Sequence, residues 1–261
     1  MEKRRETWNS YWGKKLRIEF FEGKWEMYRK VADARAEWLE ATFNLDKSRP
    51  LLSCACGEGG IELALSRRGF RVTGIDRCAA LTHFAREQAA KEELGTTFLT
   101  ADLREDQPLP GGNGTVVCFD TLGLLASEEE ELLLAKMSRA LASGGTLLVD
   151  GPQREAQTSS RHWWPVGDGY LLMETRWDKG SSTQVIEPLF IEPDGAQVIL
   201  ADPYDQSRGN HTGVHRYVYN QQELLSLVQR AGLPSAPVGH QRQGYFMIVA
   251  GAAAQALEAP A

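Results

Sequence analysis

The chain has 261 residues, 42% of them hydrophobic and 25% charged, with a formal net charge of −6. That balance is ordinary for a globular protein, and the acidic excess argues against a phosphate-tracking surface for nucleic acid. No apolar run reaches the ~20 residues that a membrane span needs, and the N-terminus lacks the apolar stretch of a signal peptide.

Residues 5–43 read as helical, with Trp25, Tyr28, Val31 and Ala32 at helical spacing, and residues 1–48 are expected to form an N-terminal helical cap. Trp25 and Trp38 are expected to pack this cap onto the main body. The segment from Asp46 to Pro50 breaks the helix. From there to residue 151 strands and helices alternate. Leu51–Cys56 reads as a buried strand, and Gly57-Glu58-Gly59-Gly60 turns it into a helix over 61–68 with Gly69 at its end. A second strand (70–76) ends on Asp76. A helix (79–93), a third strand (97–101) and a fourth (115–119) follow. A helix over 128–141 and the Ser143-Gly144-Gly145 turn lead into a fifth strand (146–150). This is the pattern of an α/β fold, a doubly wound, Rossmann-like and mainly parallel sheet.

Residues 152–218 break the alternation. Turn signals at Asp178-Lys179-Gly180 and Pro193-Asp194-Gly195 separate β-rich runs (184–191 and 196–200), so an antiparallel β lid inserted after strand five is expected. Residues 219–252 supply a last helix, capped by Asn220 with Glu223 three residues on, and a last strand (244–250). Residues 253–261 read as a flexible tail. Cys54, Cys56, Cys78 and Cys118 lie in apolar segments without metal-ligand spacing, so they read as buried thiols in a reducing cytoplasm, and no metal is expected.

The glycine turn lets a ligand approach backbone closely, because Gly57 and Gly59 present no Cβ. Asp76, about 20 residues on, is placed to accept hydrogen bonds from both hydroxyls of a ribose. Both features also suit a nicotinamide dinucleotide, although Glu62 stands where the third glycine of that fingerprint would fall. Asp102 suits an acceptor for an adenine amino group, or else a simple turn residue.

Together these segments resemble class I methyltransferases. Leu51–Gly59 looks like the first motif in its Ala-Cys-Gly-x-Gly variant, and Arg68–Asp76 resembles the second strand with its ribose-binding acid. Thr100–Leu103 is similar to the adenine-side motif, Ala140–Asp150 to the Gly-Gly turn and fifth strand, and Tyr217–Leu233 to the last helix. The resemblance covers about residues 50–250. It implies S-adenosylmethionine as cofactor, held by Ser53, Ala55, Cys56, Gly57, Gly59, Asp76, Arg77, Asp102, Leu103 and Phe119. Many members carry an acid where this chain has Ser53 and a glycine where it has Ala55.

The resemblance also implies that Asp120, after the fourth strand, faces the methyl group, where it would orient or deprotonate the acceptor or attract a cationic amine. His162 is a second candidate catalytic group. Trp163 and Trp164 would wall a planar or cationic substrate, and Arg216 and Tyr217 would anchor a carboxylate or phosphate. Tyr11 and Trp12 would close over the site as a flap. The expected activity is methyl transfer to an O or N atom of a small organic acceptor. The expected protein is a cytoplasmic monomer or homodimer with no nucleic-acid or membrane partner. An inactive cofactor-binding scaffold and a nicotinamide-dependent oxidoreductase are the alternatives.

Overall fold

Two sheets organise the chain, which a computed structural model describes over residues 3–7, 24–201 and 213–254. The larger one contains β2 (Leu51–Cys54), β3 (Val72–Asp76), β4 (Thr97–Thr100), β5 (Asn113–Cys118), β6 (Leu141–Pro152), β12 (Ser235–Val238) and β13 (Tyr245–Gly251), in the order β12-β13-β6-β5-β2-β3-β4. β2 to β6 run parallel. β13 is antiparallel to both its neighbours and is the one reversed strand of this sheet. The order changes direction between β2 and β5, so the carboxyl ends of those two strands open a crevice.

Helices cover both faces of this sheet, as a parallel sheet requires. They are α1 (Trp25–Phe43), α2 (Gly60–Arg67), α3 (Ala79–Lys91), α4 (Ser127–Ala140) and α5 (Gln221–Arg230). Strand alternation divides the core. Leu52, Cys54, Val116 and Cys118 pack against Leu134 and Met137 of α4 and Leu227 of α5. Leu51, Val117 and Leu148 pack against Ala36 and Leu39 of α1 and Leu65 of α2. α2 closes with Gly69 in the left-handed region at φ +91°, where the Gly69 and Phe70 N–H groups donate to Ser66 and Leu65 carbonyls. The Asn220–Glu223 capping box at the start of α5 is reciprocal, with bonds of 2.8 and 3.1 Å.

Trp25 meets Phe84 of α3 edge-on at 5.1 Å and Trp38 meets His240 at 5.6 Å, so both tryptophans tie α1 down. Residues 5–7, expected to be helical, belong instead to a strand, β1 (Lys3–Thr7). Its partner is β10 (Gln197–Ala201), paired in parallel. Nothing local in the sequence signals a pairing between such distant segments. Ala253 and Ala254, read as part of a loose tail, pack into the core instead, Ala254 fully buried. The helix expected over 8–23 and the tail from 255 lie outside the described residues.

The second sheet adds β7 (Ser160–Val166), β8 (Gly169–Asp178), β9 (Thr183–Ile191) and β11 (Val214–Tyr217) to β10 and β1. β7, β8, β9 and β10 form antiparallel pairs, and β11 shares the β10 edge of β9. Asp178 accepts the Gly180 N–H at 2.9 Å and Asp194 the Ala196 N–H at 2.9 Å, as the turn signals require. β11 is stitched to the crevice by the Tyr217 N–H, which donates to the Gly123 carbonyl at 2.8 Å. No helix among the described residues is long and apolar enough to cross a membrane.

Candidate active site

At the end of β2 the chain takes left-handed backbone at Ala55 (φ +58°), Gly57 (+58°) and Gly59 (+78°). Gly59 is needed for space, because a Cβ there would lie 2.6 Å from Phe98. At Gly57 a Cβ would meet nothing within 4 Å, so this backbone faces open space. Ala55 holds a conformation that costs an L-residue roughly 1–2 kcal/mol and that glycine would adopt freely. Asp76, at the tip of β3, organises the turn. Its Oδ2 accepts the Gly57 N–H at 2.9 Å and its Oδ1 the Cys78 N–H at 2.8 Å. Burial raises its pKa, while these two donors oppose the rise.

A cavity of about 330 Å³ opens in front of this turn. Ala55, Gly57, Asp76, Arg77, Asp102, Leu103, Phe119 and Asp120 line it from the core, and Met173, Ile186, Val214 and Arg216 line it from the second sheet. Its size falls in the range of small-ligand sites. Asp102 accepts a fork from Arg104, with Nη2 at 2.6 Å and Nε at 3.0 Å, and caps the Arg104 N–H at 3.0 Å. The hydrogen bonds from Arg104 hold its carboxyl below the usual range, so it is both a turn residue and an ionised acceptor at the cavity wall.

Asp120 anchors the other end. It is a non-glycine residue at φ +53°, a strained conformation that persists only where the surroundings fix it. The Asp120 N–H donates to Asp150 Oδ1 at 2.6 Å. Arg216 Nη2 donates to the Asp120 carbonyl, and Nη1 to its Oδ1 at 2.7 Å. Tyr245 Oη also donates to Oδ1, at 3.1 Å. Burial pushes the Asp120 carboxyl up, but the Arg216 charge and hydrogen bond, with Arg242 and Tyr245, bring it below its ordinary value. Asp150, itself buried, accepts Arg35 Nη2 at 2.6 Å and contacts His240 Nε2 at 3.1 Å. His240 Nδ1 accepts the Arg242 N–H at 2.8 Å, so Nε2 carries the proton given to Asp150.

The acid absent from position 53 has a counterpart. Ser53 Oγ donates to Glu62 Oε1 at 2.5 Å, deep behind the glycine turn. Burial pushes the Glu62 carboxyl up to about 7. Between about pH 4.5 and 7 the folded chain therefore holds a proton that the unfolded chain has lost, and stability falls as pH rises through that window. Glu62→Gln keeps the hydrogen bond without the charge. It is expected to stabilise the protein by about 1–3 kcal/mol at pH 8 and by little at pH 5, read from urea unfolding at both pH values. Equal effects at the two pH values would contradict this.

Of the residues expected to hold the cofactor, the cavity brings together Ala55, Gly57, Asp76, Arg77, Asp102, Leu103 and Phe119. Ser53, Cys56 and Gly59 shape the turn from behind and do not line it. Asp120 and Arg216 meet in it, but as a pair, so the Arg216 fork already holds a carboxylate. His162, expected as a catalytic group, lies exposed on β7 against Trp164 at 5.6 Å, because β7 is an outer strand beyond β8. Trp163 points to the opposite face, 65% exposed beside Tyr170, and is not a cavity wall. Trp164 packs on Leu171 and Phe190 in the small core of the second sheet. Tyr217 alternates with Arg216 and turns outward to Arg154 and Glu223. Tyr11, Trp12 and His211 lie outside the described residues. Sequence reasoning missed Arg35, Asp150, His240, Arg242 and Tyr245, which come from separate segments with no shared local pattern.

A seven-stranded sheet with one reversed strand, a glycine turn at the switch point and an acid at the next strand tip form a Rossmann-like core. Residues 51–145 match the family described as methyltransferase domain. A trans-aconitate 2-methyltransferase of Paracidovorax citrulli is 31% identical over 140 residues, 52% of this chain and 52% of that protein. A Bacillus subtilis protein named as a methyltransferase is 32% identical over 120 residues, 45% of this chain and 47% of that protein. The match thus spans about half the length of these curated relatives. Among solved structures, an amino pentose methyltransferase from Micromonospora echinaspora has a TM-score of 0.64 at 20% identity, covering 90% of this chain and 97% of that one. A methyltransferase from Clostridium acetobutylicum has a TM-score of 0.65 at 12% identity, covering 88% and 98%. These two share the fold.

Proposed function

We propose that the protein transfers a methyl group from S-adenosylmethionine to an O or N atom of a small organic acceptor. The observation that carries this reading is the single cavity that joins the glycine turn and Asp76 to Asp120 and the second sheet. The residues fit the cofactor: the open backbone at Gly57 leaves room for a ligand, and Asp76 and Asp102 are acceptors for ribose hydroxyls and an adenine amino group. The names of the trans-aconitate and amino pentose enzymes both point to small acceptors. When bound, S-adenosylmethionine supplies an electrophilic methyl group on a sulfonium.

The chain's own residues do the rest. Asp76 and the glycine turn fix the donor's ribose, and Phe119 with Leu103 and Leu125 keeps water from the apolar part of the cavity. The second sheet covers the acceptor side through Met173, Ile186 and Val214. Asp120, held ionised by Arg216, orients the acceptor. Its lowered pKa makes it a weak base, so the nucleophile arrives already deprotonated or as a free lone pair.

Turnover tests the reading. The protein is incubated with S-adenosylmethionine and panels of small carboxylic acids, phenols and amines, then with a small-molecule cell extract, and S-adenosylhomocysteine is quantified. Acceptor-dependent release is expected. Cofactor binding without release on any panel or extract would favour an inactive scaffold.

A further inference from the structure

Three guanidinium groups gather around Asp120 and Asp150: Arg216 lines the cavity, while Arg35 and Arg242 stand behind its lining. Arg216 is more than nine-tenths buried and lines the cavity, yet its Nε has no hydrogen-bond partner among the described residues. Arg35, whose guanidinium lies 4.5 Å from the Phe119 ring centroid, also has a buried Nε with no partner among the described residues. A buried N–H without an acceptor costs about 1–3 kcal/mol, and two in one place mark a site short of acceptors. Arg242 stacks on Tyr245 at 3.9 Å, is 58% exposed, and approaches Asp120 Oδ2 only to 3.9 Å.

The carboxylates nearby are largely committed. Asp150 serves Arg35, His240 and the Asp120 N–H, and Asp120 Oδ1 serves Arg216 and Tyr245. Glu130, the remaining acid close to Arg216, accepts from Gly123 N–H, Leu125 N–H and Tyr219 Oη, and burial raises its pKa. A cationic acceptor would enter beside Arg216, Arg242 and the donor's sulfonium, and like charges repel there at low dielectric. An anion would instead meet the Arg216 and Arg242 charges.

We propose that the acceptor carries a carboxylate, which docks between Arg216 and Arg242 beside Asp120. Within the methyl-transfer reading on which it rests, this assignment makes the acceptor an organic acid and makes Arg216 and Arg242 its specificity determinants. Charge-assisted Arg–carboxylate bonds are directional enough to set the acceptor's orientation toward the methyl group.

The experiment titrates size-matched probes of opposite charge into the protein, with and without saturating S-adenosylhomocysteine: benzoate against benzylamine, and succinate against 1,4-diaminobutane. At least one carboxylate is expected to bind about tenfold or more tighter than its amine partner. Arg242→Gln, at an exposed side chain on which the fold does not depend, is expected to lose about tenfold of that affinity (about 1.4 kcal/mol). Amines binding as tightly, no carboxylate binding below about 10 mM, or an unaffected Arg242→Gln would each overturn the proposal. Failure of S-adenosylhomocysteine to bind would instead count against the methyl-transfer reading, and the unloaded arm would still decide the anion question.

Discussion

Asp76→Ala is expected to weaken S-adenosylhomocysteine binding by about 30- to 100-fold, or about 2–3 kcal/mol. The carboxylate has two tasks. It holds the Gly57 and Cys78 N–H groups at 2.9 and 2.8 Å, and in the proposed complex its remaining lone pairs receive the ribose hydroxyls. Removing it costs charge-assisted hydrogen bonds to the ligand and frees the glycine turn that the ligand must meet. Burial raises the pKa of Asp76, so desolvation of this carboxylate offsets part of what its two backbone hydrogen bonds contribute to the apo fold. Calorimetric titration of both proteins reads the effect. A loss smaller than about threefold would mean that Asp76 is only a turn cap.

Gly123→Ala is expected to destabilise the protein by about 2–4 kcal/mol and to lower Tm by roughly 5–15 °C. Gly123 sits at φ +94°, and a Cβ there would fall 1.9 Å from the Tyr217 carbonyl oxygen and 3.2 Å from Arg216 Cγ. The obstacle is backbone, so no side-chain rotation relieves it. The loop after β5 and β11 would have to part, breaking the Tyr217 N–H to Gly123 O bond and drawing Arg216 away from Asp120. The same variant should therefore lose acceptor binding even where it remains folded. Differential scanning calorimetry checks the first effect, and an unchanged Tm would show that β11 is not held to the core through this contact.

The core was legible because its signals are local. Pro50, the glycine turn and Asp76 each mark a change between strand and helix within a few residues, and parallel βα units then restrict the topology; Ser143-Gly144-Gly145, read as the turn before the fifth strand, lies instead inside β6, which starts at Leu141. The cofactor side of the cavity follows, since its residues sit at strand tips. The acceptor side was legible only at Asp120 and Arg216. Arg35, Asp150, His240, Arg242 and Tyr245 join them only through tertiary packing, and β1 reaches β10 across most of the chain. His162 and Trp163 drew notice as an aromatic cluster, but alternation sends them to opposite faces of β7, an outer strand on which both are exposed. One missed signal was available: Glu62 interrupts an otherwise apolar turn, Gly60-Ile61-Glu62-Leu63-Ala64-Leu65. A lone acid there, beside a strand lacking its usual acid, points to the Ser53 pair.

The most direct test of the central claim is calorimetric titration of the wild-type protein with S-adenosylmethionine and S-adenosylhomocysteine, with a reduced nicotinamide dinucleotide as comparator. The account predicts saturable binding of both adenosyl ligands at a single site and none of the dinucleotide. Binding of the dinucleotide alone, or of no ligand at all, would contradict it.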